Sequence, residues 1–88
     1  MRIRKGFVLR KICGEWVIEG EGLEQIDFNK LVILNTSAAY LWEQVEEKEF
    51  SVEQLADLLI KRYGIARELA VRDAASLCEQ WVKVGLVE

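Results

Sequence analysis

Few side chains in this sequence are equipped to make or break covalent bonds. Histidine, the residue that titrates near neutrality and the commonest metal ligand, is absent. The two cysteines, Cys13 and Cys78, stand far apart and belong to no Cys/His ligand spacing. They read as reduced thiols packed in or near the core, with no disulfide framework and no metal. The chain has no glycine-rich phosphate loop and no nucleophile elbow. What remains is non-covalent chemistry. Leu69, Asp73, Ser76 and Gln80 recur at spacings of four, three and four residues. On a helix that spacing lines up an apolar group, a carboxylate, a hydroxyl and an amide along one flank. Such a flank can hold a ligand by hydrogen bonds. The expectation is a chain that is not an enzyme, with no catalytic residue, no cofactor and no metal site.

The bulk properties agree with a small binding module. Eighty-eight residues make one domain, 1–88, with room for a modest core. At 51% hydrophobic and 31% charged, the composition is that of a folded soluble chain. No apolar run is long enough for a membrane span, and the start, Met1 to Gly6, leads into no signal-like segment, so the expected location is cytoplasmic with no membrane partner. Fifteen acids against twelve bases give a net charge of −3, the wrong sign for a phosphate backbone. Nucleic acid is therefore disfavoured as a partner.

The elements that must position the polar flank follow from periodicity. Phe7 to Ile12 and Glu15 to Glu19 are strand-like runs joined at Cys13-Gly14, where glycine allows a hairpin turn. The segment Leu23 to Asn29 crosses as a loop, with a short extended piece at Gln25 to Phe28. Lys30, Leu31, Val32, Ile33 and Leu34 form a third strand that runs straight into a helix through the capping residues Asn35, Thr36 and Ser37. That helix carries Ala38, Leu41, Trp42 and Val45 on one face and stops by the charged Glu46-Glu47-Lys48-Glu49. Ser51 and Gln54 form a capping box for a second helix, with Phe50 placed to staple onto Leu55. It buries Val52, Leu55, Leu58, Leu59 and Tyr63 and closes at Gly64. The third helix runs from about Glu68 to Lys83. Ala70, Val71, Ala74, Leu77, Cys78, Trp81, Val82 and Val84 lie on its apolar arc, with Leu69, Asp73, Ser76 and Gln80 beside it. Trp16, Trp42 and Trp81 sit in apolar periodic runs and read as core. Leu86-Val87 packs back on the core. Three N-terminal β-strands followed by three α-helices is an α+β, winged helix-turn-helix-like fold.

Three stretches resemble a known family: LVILNTSAAYLWEQV, FSVEQLADLLIKRYGI and VRDAASLCEQWVKVGLVE. The pattern is a strand ending in Leu34-Asn35, a helix opening with Ser37-Ala38-Ala39, Val52 to Ala56 with Tyr63 in the second helix, and Asp73 and Gly85-Leu86-Val87 in the last. Together these resemble the PqqD-like family, named for biosynthesis of pyrroloquinoline quinone, whose fold is also the RiPP recognition element. The resemblance covers roughly residues 30 to 88. One departure is the loop between the first two helices, where the family often has Asp-Gly and this chain has Glu46 to Glu49.

The resemblance implies a protein with no activity of its own. Such proteins hold the leader of a ribosomally made precursor peptide and present its core to a maturation enzyme, often a radical SAM protein. The leader adds as a strand beside Lys30 to Leu34, in a groove whose other wall is the third helix. An edge strand suits this role, because its unpaired backbone groups can bond an extended peptide of almost any sequence. The short joint to the first helix limits the ordering cost of docking. Leu69, Asp73, Ser76 and Gln80 are the expected wall, with Ala75 and Val82 on the opposite flank as the alternative. Two other readings stand beside this one. A winged-helix DNA-binding regulator would use the basic cluster Arg2, Arg4, Lys5, Arg10 and Lys11, although the third helix balances Arg67, Arg72 and Lys83 with Glu68, Asp73 and Glu79. A self-associating domain would pair the exposed edge with a second copy, so the expected state is a monomer or a homodimer.

Overall fold

The computed structural model describes residues 1–20 and 32–88. Three strands, β1 (Phe7–Ile12), β2 (Glu15–Gly20) and β3 (Val32–Leu34), precede three helices, α1 (Thr36–Val45), α2 (Val52–Tyr63) and α3 (Arg67–Lys83). The sheet is antiparallel in the order β1-β2-β3. This is the α+β outline that the sequence implies. The loop expected over Leu23 to Asn29, its extended piece at Gln25 to Phe28, and the strand residues Lys30 and Leu31 lie outside the described residues.

Local chemistry accounts for each boundary. Cys13 and Gly14 both have positive φ, +52° and +83°, and join the Ile12↔Glu15 pair as a two-residue loop whose twist matches the strands. Asn35 caps α1 through its Oδ1, which accepts from the Ala38 amide at 2.8 Å. At α2 the capping box forms in both directions: the Gln54 amide donates to Ser51 Oγ at 3.2 Å and the Ser51 amide to Gln54 Oε1 at 2.9 Å. Gly64 ends that helix in the left-handed conformation, its amide bonded to Ile60 at 2.8 Å. Between α1 and α2 the left-handed position falls to Glu47, with φ +62°. The turn that a glycine makes without strain is made here by a residue with a Cβ.

The core lies between the inner face of the sheet and the three helices. Trp42 and Trp81 are both fully buried and meet edge to face at 5.3 Å, and Phe50 meets Trp81 the same way at 6.3 Å. Each such aromatic pair contributes roughly 0.5–1.5 kcal/mol beyond its buried area. The Trp42 indole N–H reaches Glu46 Oε1 at 3.0 Å, whereas that of Trp81 has no partner among the described residues.

Several side chains lie further out than their periodicity suggests. Tyr63, Val82 and Val84 are exposed, and Leu77, Val71, Val52, Leu58 and Trp16 are half-buried. Tyr63 instead meets Tyr40 edge-on at 6.3 Å near the surface. Cys13 is exposed in the hairpin turn, not packed, while Cys78 is buried.

The two ends of the chain clasp each other. Leu86 and Val87 pack on the core as expected, and Ile3 pairs antiparallel with Val87. Three backbone bonds of 2.9–3.0 Å join Arg2 and Arg4 to Leu86 and Glu88. The terminal amino group donates to the Phe50 carbonyl at 2.8 Å.

Candidate functional site

β3 is an outer strand of the sheet. It pairs with β2 on one side, and among the described residues nothing pairs its other side. An antiparallel edge strand turns half of its backbone N–H and C=O groups away from its partner, so β3 keeps a row of groups available for a further strand. The register Trp16↔Leu34, Val17↔Ile33, Ile18↔Val32 fixes which way its side chains point. Leu34 faces the helices and is 6% exposed, whereas Ile33, on the opposite face, is 62% exposed. An isoleucine so exposed on a free edge is the most conspicuous apolar side chain of the sheet surface.

The strand passes into α1 with one residue between them. Asn35 is extended (φ −73°, ψ 173°), and its Oδ1 accepts both the Ala38 amide and the Ser37 hydroxyl, at 2.8 and 3.0 Å. One side chain therefore fixes the angle at which the edge strand meets the helix. Both bonds converge on a single oxygen of the joining residue itself.

Beside this joint, between the start of α1 and the middle of α3, opens a cleft of about 340 Å³. Asp73, Ser76 and Gln80 form its α3 wall and Asn35 and Ser37 its α1 wall. Leu41 and Leu59, both buried, and the half-buried Leu77 supply apolar surface at its base. Asp73 is the only charged residue of the lining, and no ion-pair partner faces it among the described residues. The three polar groups of α3 fall together because residues three and four apart stack on one helix face.

The structure thus brings together Asp73, Ser76 and Gln80 with Asn35, the residue that follows β3. Leu69, also expected in the wall, is 38% exposed and does not line the cleft. It lies a turn nearer the start of α3 than Asp73. The alternative wall, Ala75 and Val82, does not line it either. Lys30 and Leu31 lie outside the described residues.

A second cleft, of about 520 Å³, flanks the same joint on the hairpin side and is lined by Trp16, Ile33, Leu34 and Asn35 among others. Trp16 is half-buried there, with the Lys11 ammonium 5.4 Å from its ring centre. Sequence reasoning treated Asn35, Thr36 and Ser37 only as caps, and Trp16, Ala38, Leu41, Leu59 and Leu77 only as core, yet each lines one of the two clefts. For the three caps the signal was adjacency to the strand end, which periodicity does not weigh.

Other chemistry finds little footing. Among the described residues no three His, Cys, Asp or Glu side chains gather as a metal site would require. Burial pushes the Cys78 thiol pKa up, the amino terminus opposing it slightly, which makes that thiol less reactive. On α3, Arg67 is held by Asp57 at 3.0 Å, and the other bases, Arg72 and Lys83, are outnumbered by Glu68, Asp73 and Glu79, so the helix presents no basic face to a DNA groove. No described helix is long and apolar enough to cross a membrane.

Comparison with known proteins adds three findings. Residues 17–87 match the family model described as Coenzyme PQQ synthesis protein D (PqqD). The fold is similar to that of a solved chain described as TbiB1 in complex with the TbiA(beta) leader peptide. That pair is 20% identical, with a TM-score of 0.75 over 100% of this chain and 95% of the other. It is also similar to a lasso peptide synthetase B1 complexed with the leader peptide, at 21% identity and a TM-score of 0.71 over 99% and 95% of the two chains. No curated protein gives a match.

Proposed function

This chain belongs to the PqqD family, and from that premise we propose that it is a peptide-binding adaptor without catalysis of its own. It captures the leader of a ribosomally made precursor peptide as an added strand on β3 and presents the remainder to a maturation enzyme, for which a radical SAM protein is the expected class. The work takes place in the cytoplasm, where such precursors are translated. The observation that carries the reading is the outer edge of β3, unpaired among the described residues, leading through Asn35 into a cleft walled by Asp73, Ser76 and Gln80. The leader complexes of the two structural neighbours support it.

The energetics suit capture of a flexible peptide. Backbone pairing along β3 requires little of the leader's sequence, while the cleft supplies selectivity through side chains. An extended peptide loses conformational entropy on docking, of order 1–2 kcal/mol for each residue fixed. A receptor edge already held by the Asn35 cap adds little to that cost.

The test begins with a random linear peptide library displayed on phage and selected on the purified protein. The tightest selected peptide is then titrated calorimetrically against the native chain and the double variant Asp73→Lys, Ser76→Glu. Both positions are exposed on α3, so the variant should keep its stability within about 1 kcal/mol. Affinity should fall at least tenfold, about 1.4 kcal/mol. Unchanged affinity in a folded double variant would remove the α3 wall from the proposal.

A further inference from the structure

We infer that the groove reads its peptide by alternate side chains: a lysine or arginine turned inward to the Asp73 carboxylate, with apolar neighbours turned outward beside Ile33. The inference rests on the docking of a strand on β3 and adds which class of peptide that strand must be.

The inward half follows from the hydrogen-bonding inventory of the cleft. Asp73 is acceptor-only and has no partner among the described residues. Ser37 spends its proton on Asn35 and keeps only lone pairs for a ligand. Ser76 and Gln80 can accept as well as donate, and the amide NH2 of Asn35 is the only group there restricted to donation. Acceptors therefore exceed donors, and the one formal charge is negative. A guest with several N–H donors and a positive charge satisfies that set. A carboxylate would meet Asp73 as a like charge and leave most acceptors unpaired.

The cleft also has the right shape for a long cationic side chain. Its volume of about 340 Å³ far exceeds that of one side chain, and Leu41, Leu59 and Leu77 offer apolar surface low in the cleft. Lysine and arginine bury their methylene stems on such surface while the charged head stays near the polar rim.

The outward half follows from strand geometry. Successive side chains of a strand point to opposite faces, so a peptide residue that turns inward beside Leu34 has neighbours that turn outward beside Ile33. Ile33 is 62% exposed, and its cross-strand partner Val17 on the same face is buried. A β-branched or aromatic side chain added next to Ile33 removes both from water, the kind of lateral pair worth roughly 0.2–1 kcal/mol. The recognised segment is thus apolar, cationic, apolar.

The experiment repeats the library selection on three proteins: native, Asp73→Asn and Asp73→Lys. Binders are retained for analysis when they shift the amide resonances of Val32 to Leu34. On the native chain we expect lysine or arginine enriched at one position, with β-branched or aromatic residues on either side. Asp73→Asn should weaken that enrichment, and Asp73→Lys should replace it with aspartate or glutamate. Exchanging the cationic residue of a native-selected peptide for alanine should lower affinity at least threefold on the native chain and leave it unchanged on Asp73→Asn. Binders that dock on β3 without a cationic position, or with one indifferent to Asp73→Lys, would overturn the inference while leaving strand capture standing. A selection in which no peptide perturbs β3 would overturn both.

Discussion

Replacing Asn35 by alanine tests how the edge strand is held. Asn35 Oδ1 accepts the Ala38 amide at 2.8 Å and the Ser37 hydroxyl at 3.0 Å, and the residue lies between β3 and α1. Losing an asparagine cap to alanine costs about 1 kcal/mol, within a measured range of roughly 0.5–2. The bond to Ser37 is exposed and adds a few tenths at most. For a domain of this length, about 1 kcal/mol corresponds to a fall in Tm of roughly 4–8 °C. Asn35→Asp and Asn35→Ser keep a cap acceptor and should stay within about 0.5 kcal/mol of the native chain. The aspartate gains further from the positive end of the helix dipole. The assay is urea and thermal unfolding followed by circular dichroism, with affinity for a selected peptide measured on the same samples. Asn35→Ala should also bind more weakly than Asn35→Ser, because an unpinned joint must be ordered on docking. Equal stability and equal affinity across the three variants would refute the argument that this oxygen sets the strand-to-helix angle.

Other expectations are simpler to state. At neutral pH a thiol reagent should label Cys13 within seconds to minutes, and Cys78 only as fast as the protein opens, since Cys78 is buried with its pKa raised; two equally fast thiols would contradict this packing. Trp42→Phe should cost about 1 kcal/mol more than Trp81→Phe, because the first loses a hydrogen bond to Glu46 and the second deletes a buried N–H that has no partner among the described residues, as unfolding in urea would measure. Gly64→Ala should lower stability by about 1 kcal/mol and Glu47→Gly should raise it by up to about 1 kcal/mol, since both positions hold the left-handed conformation and only one has the residue suited to it. The opposite sign for either would mean the turn adopts another conformation in solution.

How far the sequence led depended on whether a feature was local. The hairpin at Cys13-Gly14, the Ser51/Gln54 capping box and the Gly64 stop are each decided within a few residues, and each was legible. The spacing of Asp73, Ser76 and Gln80 likewise marked one wall of the cleft, because helical periodicity is a local rule. What escaped was set by distant segments. Tyr63, Val82 and Val84 obey the apolar period yet lie exposed, because each stands at or near the end of its helix, where period alone does not say what packs against it. Leu69 keeps the spacing of the flank but falls outside the cleft, whose extent along α3 is set by what lies opposite. The clasp of Arg2 and Arg4 with Leu86 and Glu88 joins residues at opposite ends of the chain, a pairing that no window of sequence contains. Asn35 and Ser37 were read as caps alone, and their second role as cleft wall appears only when α3 is laid beside α1.

The central claim, capture by strand addition on β3, is tested most directly by nuclear Overhauser contacts between the backbone of a bound, library-selected peptide and the backbone of the labelled protein. The account predicts a ladder of inter-strand contacts from the peptide to Val32, Ile33 and Leu34, with slowed amide exchange along that edge when the peptide is bound. Contacts confined to α3 or to the outer sheet face, with the β3 amides exchanging as in the free protein, would contradict it.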